Sequence, residues 1–266
     1  MINTPKITKE RIKQYLAEGK RFDRRTPEDF REIIIDTNVS KKAEGSARVK
    51  IGKTEVIVGV KMDVGTPYPD SPDKGNLSVN TELTPMSSPR FENGPPKFPA
   101  IEIARVIDRG IRESKFIEFE NLCIKEGEKV WNVFVDIYTI NDDGNLLDAA
   151  GIGAVVALKN SKIPKFDEKS GKVLFGELTG KNIPLSKEVP IALTFYKLGD
   201  RFLVDPTKEE EDSSDTRVTI GSFGGTISSM QKGNSDVITS DDVDTILRMN
   251  EKINKEIFKK IGGFMR

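Results

Sequence analysis

The chain has 266 residues, with 42 Lys and Arg, 42 Asp and Glu, one Cys and no His. Without His, the chain cannot form Ser-His-Asp or Cys-His triads, transfer protons through imidazole or bind a metal through His. The single Cys excludes disulfide frameworks and multi-thiolate zinc sites, and the net charge of zero argues against a uniformly basic surface for nucleic acids.

Hydrophobic periodicity predicts strands followed by helices in both halves of the chain. The first half predicts a helix over 8–19, strands over 47–51, 56–60 and 77–83, a helix over 100–115, strands over 122–124 and 130–140, and a helix over 146–158. The second half predicts strands over 190–196, 201–204, 217–220 and 226–231, and a closing helix capped by Thr239. This order indicates an α+β protein with helices packed on mixed sheets.

The sequence predicts no membrane segment. Residues 1–16 are polar and rich in Lys, without the apolar core of a signal peptide. The longest small and apolar run, 151–158, is far shorter than the roughly 20 residues that span a bilayer. We therefore expect a cytoplasmic protein with no membrane partner.

Three arginines recur at spacings of four and three in the helix predicted over 100–115. Arg105, Arg109 and Arg112 therefore lie on one helical face, opposite the isoleucines of the same segment. Three guanidinium groups in a row can bind successive phosphates of a single nucleic-acid strand. The same face can instead be a solvated surface whose arginines pair with nearby carboxylates, which are Glu102, Asp108 and Glu113. Spacing alone leaves both interpretations open.

A run of carboxylates and a run of small residues are two further candidates. The carboxylates are Asp205, Glu209, Glu210, Glu211, Asp212 and Asp215. Such a density can hold a divalent cation or supply an acid and a base, although an acidic turn between strands is more commonly solvated. The small residues, 148–153, open a predicted helix whose backbone amides can hold an anion, but close helix packing explains them equally well.

Four short segments follow one another at separations that fit a known family. They are Arg21-Phe22-Asp23-Arg24-Arg25 with Arg31, the predicted hairpin from Gly45 to Val56, Gly94-Pro95-Pro96 leading into Ile101-Glu102-Ile103, and Asp205-Pro206-Thr207 with Glu209-Glu210-Glu211. Together they resemble the RNase PH family, most closely the larger, non-catalytic ring subunits of archaeal exosomes. The resemblance implies an RNase PH fold of two βαβα-type halves, the first similar to domain 2 of ribosomal protein S5. It also implies an N-terminal helix and arm over 1–29, a first domain over 30–165, a connection over 166–188 and a second domain over 189–266.

The departures from this family concern its phosphate site. The resemblance implies that active relatives degrade RNA with inorganic phosphate as the nucleophile, which requires positive charge to hold the attacking anion. Where those relatives carry an arginine pair this chain has Phe98 and Pro99, and where they carry a Thr-Arg step it has Ile152. The counterparts of their paired aspartates are Glu209 and Asp215. The resemblance thus implies a subunit that is not catalytic and holds no metal or cofactor of its own.

The resemblance also implies partners. It predicts a hexameric ring, a trimer of heterodimers, in which this chain alternates with a catalytic RNase PH-like subunit below RNA-binding cap subunits. Inorganic phosphate, with magnesium as a candidate ion, would act at the catalytic partner. Single-stranded RNA would lie against Arg105, Arg109 and Arg112, so that this chain binds RNA and completes the partner's active site.

Two other functions stay open from the sequence alone. One is a free-standing, active phosphorolytic RNase that uses Glu209 and Asp215, with Lys97 in place of the missing arginines. A lysine lacks the two-pronged geometry with which arginine holds phosphate. The other is a small-molecule kinase that binds nucleotide phosphates at the glycines of Gly151-Ile152-Gly153.

Overall fold

The computed structural model describes residues 4–264. The helices are α1 (Lys6–Ala17), α2 (Phe98–Glu113), α3 (Leu146–Lys159), α4 (Lys208–Ser213) and α5 (Ser240–Ile261). The strands are β1 (Ile33–Thr37), β2 (Gly45–Ile51), β3 (Thr54–Gly65), β4 (Asn76–Glu82), β5 (Cys123–Lys125), β6 (Lys129–Asn141), β7 (Lys162–Asp167), β8 (Lys172–Asn182), β9 (Ile191–Leu198), β10 (Arg201–Val204), β11 (Thr216–Phe223) and β12 (Thr226–Gly233). None of the helices within residues 4–264 is long and apolar enough to cross a membrane.

The first sheet is mixed. Its strands follow the order β1-β2-β3-β6-β4, with β5 paired to one end of β6. β4 runs parallel to β6, whereas the other pairs are antiparallel. Alternation decides which face is buried, because Val56, Val58 and Val60 of β3 are fully buried while the residues between them remain partly exposed. α3 packs across β2 and β3, and α2 lies beside α3 on β4.

The second sheet covers the other side of these two helices. Its strand order is β10-β9-β11-β12, and all its pairs are antiparallel. Arg217 of β11 donates to Glu102 of α2 at 2.5 Å on one face. On the other face, Asn250 of α5 donates to Ser222 of β11 at 2.8 Å. The layers are therefore sheet, two helices, sheet and helix, joined by one hydrophobic core.

The N-terminal helix α1 packs on the second sheet and not on the first. Ile12 and Leu16 of α1 are buried with Tyr196, Leu198 and Leu203, which belong to β9 and β10. These five side chains form a separate small core. Helix α1 thus packs on a sheet whose strands lie about 180 residues or more further along the chain.

The predicted α+β class is confirmed, and most predicted elements agree with the structure within a few residues. Strands β1 and β7 were not predicted, and two further segments differ. The predicted connection 166–188 contains β8, which forms an exposed hairpin with β7; ten of its eleven residues are exposed, so no buried face imposes the alternation that marks a strand. Residues 208–213, predicted as part of a solvated acidic turn, form α4, which Thr207 and Glu210 cap reciprocally. The division into domains remains a prediction.

Candidate functional site

The three predicted arginines, called here the arginine row, lie along α2 with different partners. The side chain of Arg105 is 72% exposed, and its Nη1 lies 4.0 Å from Asp108 Oδ2. Arg109 Nη1 points toward the second sheet, where it donates to Gln231 Oε1 at 3.4 Å. Arg112 Nη2 donates to Asp108 Oδ1 at 2.9 Å. Arg105 and Arg109 therefore keep most of their donors for a ligand, whereas Arg112 is held by a carboxylate.

The start of α2 is apolar at the position where the resemblance places the arginine pair of active relatives. The side chain of Phe98 is exposed, and Pro99 is exposed beside it in the first turn. Lys97 precedes them, but its Nζ lies 2.5 Å from Glu92 Oε2. A phosphate placed here would meet a benzyl ring, a proline without an N–H group and a lysine that is already paired.

The resemblance placed Ile152 where active relatives carry a Thr-Arg step, directly after the turn that precedes α3. The structure corrects this placement, because Ile152 does not border that turn. The turn ends at Gly144, Asn145 precedes α3 with a left-handed φ of 63°, and the helix begins at Leu146. Ile152 therefore lies in the second turn of α3, where it is buried in the hydrophobic core. The side chains that directly follow the turn, Leu146 and Leu147, are also apolar and buried. The position after the turn thus lacks a cation, although Ile152 is not the residue that occupies it.

Glu209 and Asp215, the predicted residual carboxylates, have different surroundings. Glu209 is exposed on α4 and lines an open cleft of about 420 Å³ with Lys208. Asp215 instead accepts from Lys13 Nζ of α1 at 2.5 Å and from the Gly199 N–H at 2.8 Å. Burial alone would raise the pKa of Asp215, but these two hydrogen bonds lower it. Both oxygens of the Asp215 carboxylate are therefore engaged, and the residue is an attachment point for α1.

The segment 205–212 is bound by arginines, which corrects its prediction as a solvated turn. Asp205 is fully buried, and Arg31 holds its carboxylate at two points, with Nη2 2.7 Å from Oδ1 and Nε 2.9 Å from Oδ2. Arg25 Nη1 adds a contact of 2.9 Å. Burial would raise the pKa of Asp205, but the hydrogen bond and charge of Arg31 lower it. Within residues 4–264 no cluster of three acidic or thiol side chains could hold a metal ion.

Asp148 is a buried carboxyl that its sequence position did not reveal. It lies in the first turn of α3, enclosed between this helix and the second sheet, and its Oδ1 accepts from Thr194 Oγ1 at 2.7 Å. Its Oδ2 has no hydrogen-bond partner among residues 4–264. Burial raises the pKa of Asp148 to about 7. The group is therefore poised to affect the pH dependence of stability.

Both glycines of the small-residue segment lie within a helix, and one of them serves helix packing, which contradicts the kinase interpretation. Gly151 and Gly153 lie inside α3, not in a loop that precedes it. A Cβ added at Gly153 would lie 2.7 Å from Val58 Cγ2 of the first sheet. Amide groups in the interior of a helix are bonded to carbonyls one turn earlier and are not available to hold a phosphate.

Comparison with known proteins identifies the family. A model described as the 3′ exoribonuclease family, domain 1, matches residues 29–164, and the model for domain 2 of the same family matches residues 188–252. The chain belongs to the 3′ exoribonuclease family. The predicted resemblance to RNase PH proteins is thereby confirmed, as is the RNase PH fold.

Relatives within this family cover nearly the whole chain. The exosome complex component Rrp42 of Thermococcus onnurineus is 46% identical in an alignment 265 positions long, which covers 97% of this chain and 96% of that protein. A structure described as the Archaeoglobus fulgidus exosome with RNA bound to the active site matches with a TM-score of 0.88 and 41% identity, over 96% of this chain and 98% of that one. A structure described as an archaeal exosome core matches with a TM-score of 0.84 and 38% identity, over 98% and 97% of the two chains.

Two of the segments that carried the resemblance contact each other in the structure. The segments around Arg25 and Arg31 and around Asp205 were two of the four that carried the resemblance, and the structure bonds them to each other. The two motifs, which are separate in the sequence, are therefore joined by ion pairs in the structure.

Proposed function

We propose that this chain is a non-catalytic ring subunit of an exosome that degrades RNA by 3′-to-5′ phosphorolysis. Its similarity to exosome components over nearly its full length supports the assignment. In the proposed assembly the chain alternates with a catalytic RNase PH-like subunit in a cytoplasmic hexamer, a trimer of heterodimers, on which RNA-binding cap subunits sit.

The proposed lack of activity rests on one observation. Apolar side chains occupy the positions where the resemblance places the phosphate-binding cations of active relatives. Phosphorolysis brings an inorganic phosphate against a phosphodiester, so two anions must be held together and further charge must be offset in the transition state. Phe98 and Pro99 begin α2, and Leu146 and Leu147 follow the turn before α3. These side chains offer neither a hydrogen-bond donor nor positive charge to a phosphate.

The nearby cleft does not supply the missing cations. Lys53 and Lys208 line it, but so do four carboxylates, which are Asp23, Asp143, Glu209 and Glu210. Lys208 lines the cleft beside Glu209, but its Nζ lies 2.9 Å from Asp142 Oδ2 and 2.8 Å from Glu211 Oε2. Its charge is therefore already balanced. We accordingly place inorganic phosphate, and any magnesium that accompanies it, at the catalytic partner and assign no cofactor to this chain.

A subunit without a phosphate site can still bind the substrate. In the proposed ring, Arg105 and Arg109 contact phosphates of single-stranded RNA, because their guanidinium groups are the least engaged members of the arginine row. Arg112 stands at the end of the row and is oriented by Asp108. The chain thereby positions RNA for cleavage by its neighbour.

The free-standing RNase is the weaker candidate. It needs Glu209 and Asp215 to work as a pair and Lys97 to hold phosphate. Asp215 binds Lys13, and Lys97 binds Glu92. Two of the three side chains that this function would use are therefore engaged elsewhere.

Purification of the chain from its native cell extract tests the proposed assembly. We expect a second RNase PH-like protein to copurify in equal amounts, in a particle whose mass, measured by native mass spectrometry, fits three copies of each chain. A chain that purifies alone, or as a ring of identical subunits, would contradict the proposal.

A further inference from the structure

An open cleft lies at the C-terminal end of α2, away from the apolar start of that helix. Its volume is about 470 Å³, within the range of small-ligand pockets. The lining residues are Tyr68, Ser71, Lys74, Gly75, Asn76, Arg112, Lys115, Ile117, Glu118, Phe119 and Glu120. Arg112 belongs both to this lining and to the arginine row, so the cleft continues the surface proposed to bind RNA.

One wall of the cleft is a firmly anchored loop that displays an aromatic ring. Prolines flank Tyr68 on both sides, which restricts the backbone there. The Ser71 N–H donates to the Tyr68 carbonyl at 3.0 Å, and the Gly75 N–H donates to the Phe119 carbonyl at 2.9 Å. A Cβ at Gly75 would lie 2.5 Å from Leu122 Cβ, so the loop closes tightly on the body of the protein. The loop is thus well fixed.

The aromatic ring of Tyr68 takes little part in the packing of the protein. The residue is 59% exposed, although the loop that carries it is fixed. Its ring pairs with no other aromatic ring among the described residues, whereas that of Tyr15 packs edge-on against Phe22 at 4.9 Å. An exposed aromatic side chain on a fixed backbone is a suitable platform for a flat ligand, because the loop loses little conformational entropy when the ligand binds.

The remaining walls supply positive charge. The Arg112 guanidinium lies 5.5 Å from the ring centre of Phe119, and Asp108 fixes its orientation. Lys115 follows α2 in the left-handed conformation, with a φ of 51°, and is exposed. No carboxylate of residues 4–264 lies within 4 Å of its Nζ.

Two carboxylates around the cleft pair with cations other than Lys115. Glu120 Oε1 lies 3.0 Å from Lys74 Nζ, so these two charges balance each other. Glu118 Oε2 accepts a hydrogen bond from Asn121 Nδ2 at 2.7 Å. Asp108 balances the charge of Arg112, and Glu120 balances that of Lys74, so Lys115 is the one cation of this lining with no carboxylate of the described residues within 4 Å. Glu118 keeps its negative charge, because the Asn121 amide that binds it is neutral.

We propose that this cleft binds one unpaired nucleotide of single-stranded RNA, with the base stacked on Tyr68 and a phosphate held by Lys115. Flat aromatic platforms combined with unpaired cations are how proteins bind single strands without reading their sequence. The proposal rests on the proposed function, since the same strand runs from the cleft past Arg112 to Arg109 and Arg105.

The test uses the ring reconstituted from full-length subunits and a fluorescent single-stranded RNA. Tyr68→Ala should weaken RNA binding about tenfold, because stacking of one base on an aromatic side chain contributes about that much or more. Tyr68→Phe keeps the ring and should bind as the wild type does. Lys115→Gln should lower the slope of log affinity against log salt by about one. Tyr138→Ala, which removes another exposed tyrosine on β6, is the matched control and should change nothing.

The outcomes separate this proposal from the function on which it rests. If Arg105→Ala weakens binding while Tyr68→Ala does not, the cleft proposal fails and the proposed function stands. If Tyr68→Ala reduces ring assembly in native mass spectrometry but leaves the RNA affinity of the rings that form unchanged, the cleft is a contact between subunits and the proposal also fails. Photocrosslinking of 4-thiouridine RNA to Tyr68, mapped by mass spectrometry, would support it directly.

Discussion

Arg21 and Glu210, which stand 189 positions apart, form a buried two-point ion pair between the N-terminal arm and α4. Arg21 Nε lies 2.9 Å from Oε1 and Nη2 lies 2.5 Å from Oε2. The Arg21 side chain is fully buried and also donates to the carbonyls of Val204 and Asp205 at 3.0 and 2.8 Å. Glu210 meanwhile caps α4 through the Thr207 N–H. The pair therefore fixes the N-terminal arm and α4 in one arrangement.

Removal of Arg21 should destabilise the chain strongly. Arg21→Ala leaves the Glu210 carboxylate buried without its partner, and loss of one member of a buried ion pair costs about 3–5 kcal/mol. Urea unfolding, followed by circular dichroism, should show this as a lower midpoint. Arg248→Ala removes an exposed arginine from α5 and serves as the control, with an unchanged midpoint expected. Equal midpoints for both variants would show that the pair does not secure the fold.

The sequence drew attention to both residues of this ion pair but did not predict that they contact each other. The resemblance drew attention to Arg21 and to Glu210 as parts of separate motifs, whereas the carboxylate run on its own indicated a solvated turn. Spacing along the chain reports which residues share a helix or strand face, so it predicted α2 and the hairpin of β2 and β3 well. It contains no information on a contact between side chains 189 positions apart.

The two glycines inside α3 should respond in opposite ways to substitution by Ala. At Gly153 the new Cβ would meet Val58 Cγ2 at 2.7 Å, and such overpacking costs about 1–3 kcal/mol. At Gly151 the nearest atom, Ala192 Cβ, is 4.0 Å away, so Gly151→Ala should gain up to about 1 kcal/mol of helix propensity. Thermal unfolding should therefore rank Gly151→Ala above the wild type and Gly153→Ala below it. The reverse order would disprove the packing role given to Gly153.

Asp148 should make the chain less stable as the pH rises. Its pKa is about 7 in the folded chain and about 4 in an unfolded one, so between these values only the folded chain holds the proton. The contribution of this group to the free energy of unfolding therefore falls from about pH 4 to pH 7 and is constant above that. Asp205 adds negative charge near Asp148, which acts in the same direction.

Asp148→Asn isolates this contribution, because the amide stays neutral and can still accept from Thr194. Relative to the wild type, the variant should gain on the order of a few kcal/mol in urea unfolding at pH 8 and almost nothing at pH 4.5. An equal difference at both pH values would mean that the carboxyl does not titrate in this range.

The two least engaged members of the arginine row should govern the salt dependence of RNA binding. In the reconstituted ring, Arg105→Ala and Arg109→Ala should each weaken binding and lower the slope of log affinity against log salt by about one. Arg248→Ala, again the control, should leave both quantities unchanged. Identical slopes across 50 to about 200 mM salt for all three variants and the wild type would exclude the row from the RNA path.

Sequence reasoning reached the candidate site only in part. The arginine row followed from helical spacing, and the loss of positive charge at Phe98 and Pro99 followed from the resemblance. Ile152 was misplaced because its assignment came from the family resemblance, although the helix predicted over 146–158 already put it in the second turn of α3. Tyr68 was not singled out, since its exposure depends on a fixed loop whose anchors, at Phe119 and Gly127, are distant in sequence.

The central claim is that this chain has no phosphorolytic activity of its own, and an assay of nucleoside diphosphate release tests it most directly. Single-stranded RNA, inorganic phosphate and magnesium are supplied to the purified chain, to the catalytic partner alone and to the ring of both. We predict no release by this chain alone and rapid release by the ring. Robust release of nucleoside diphosphates by the chain without its partner would contradict the account.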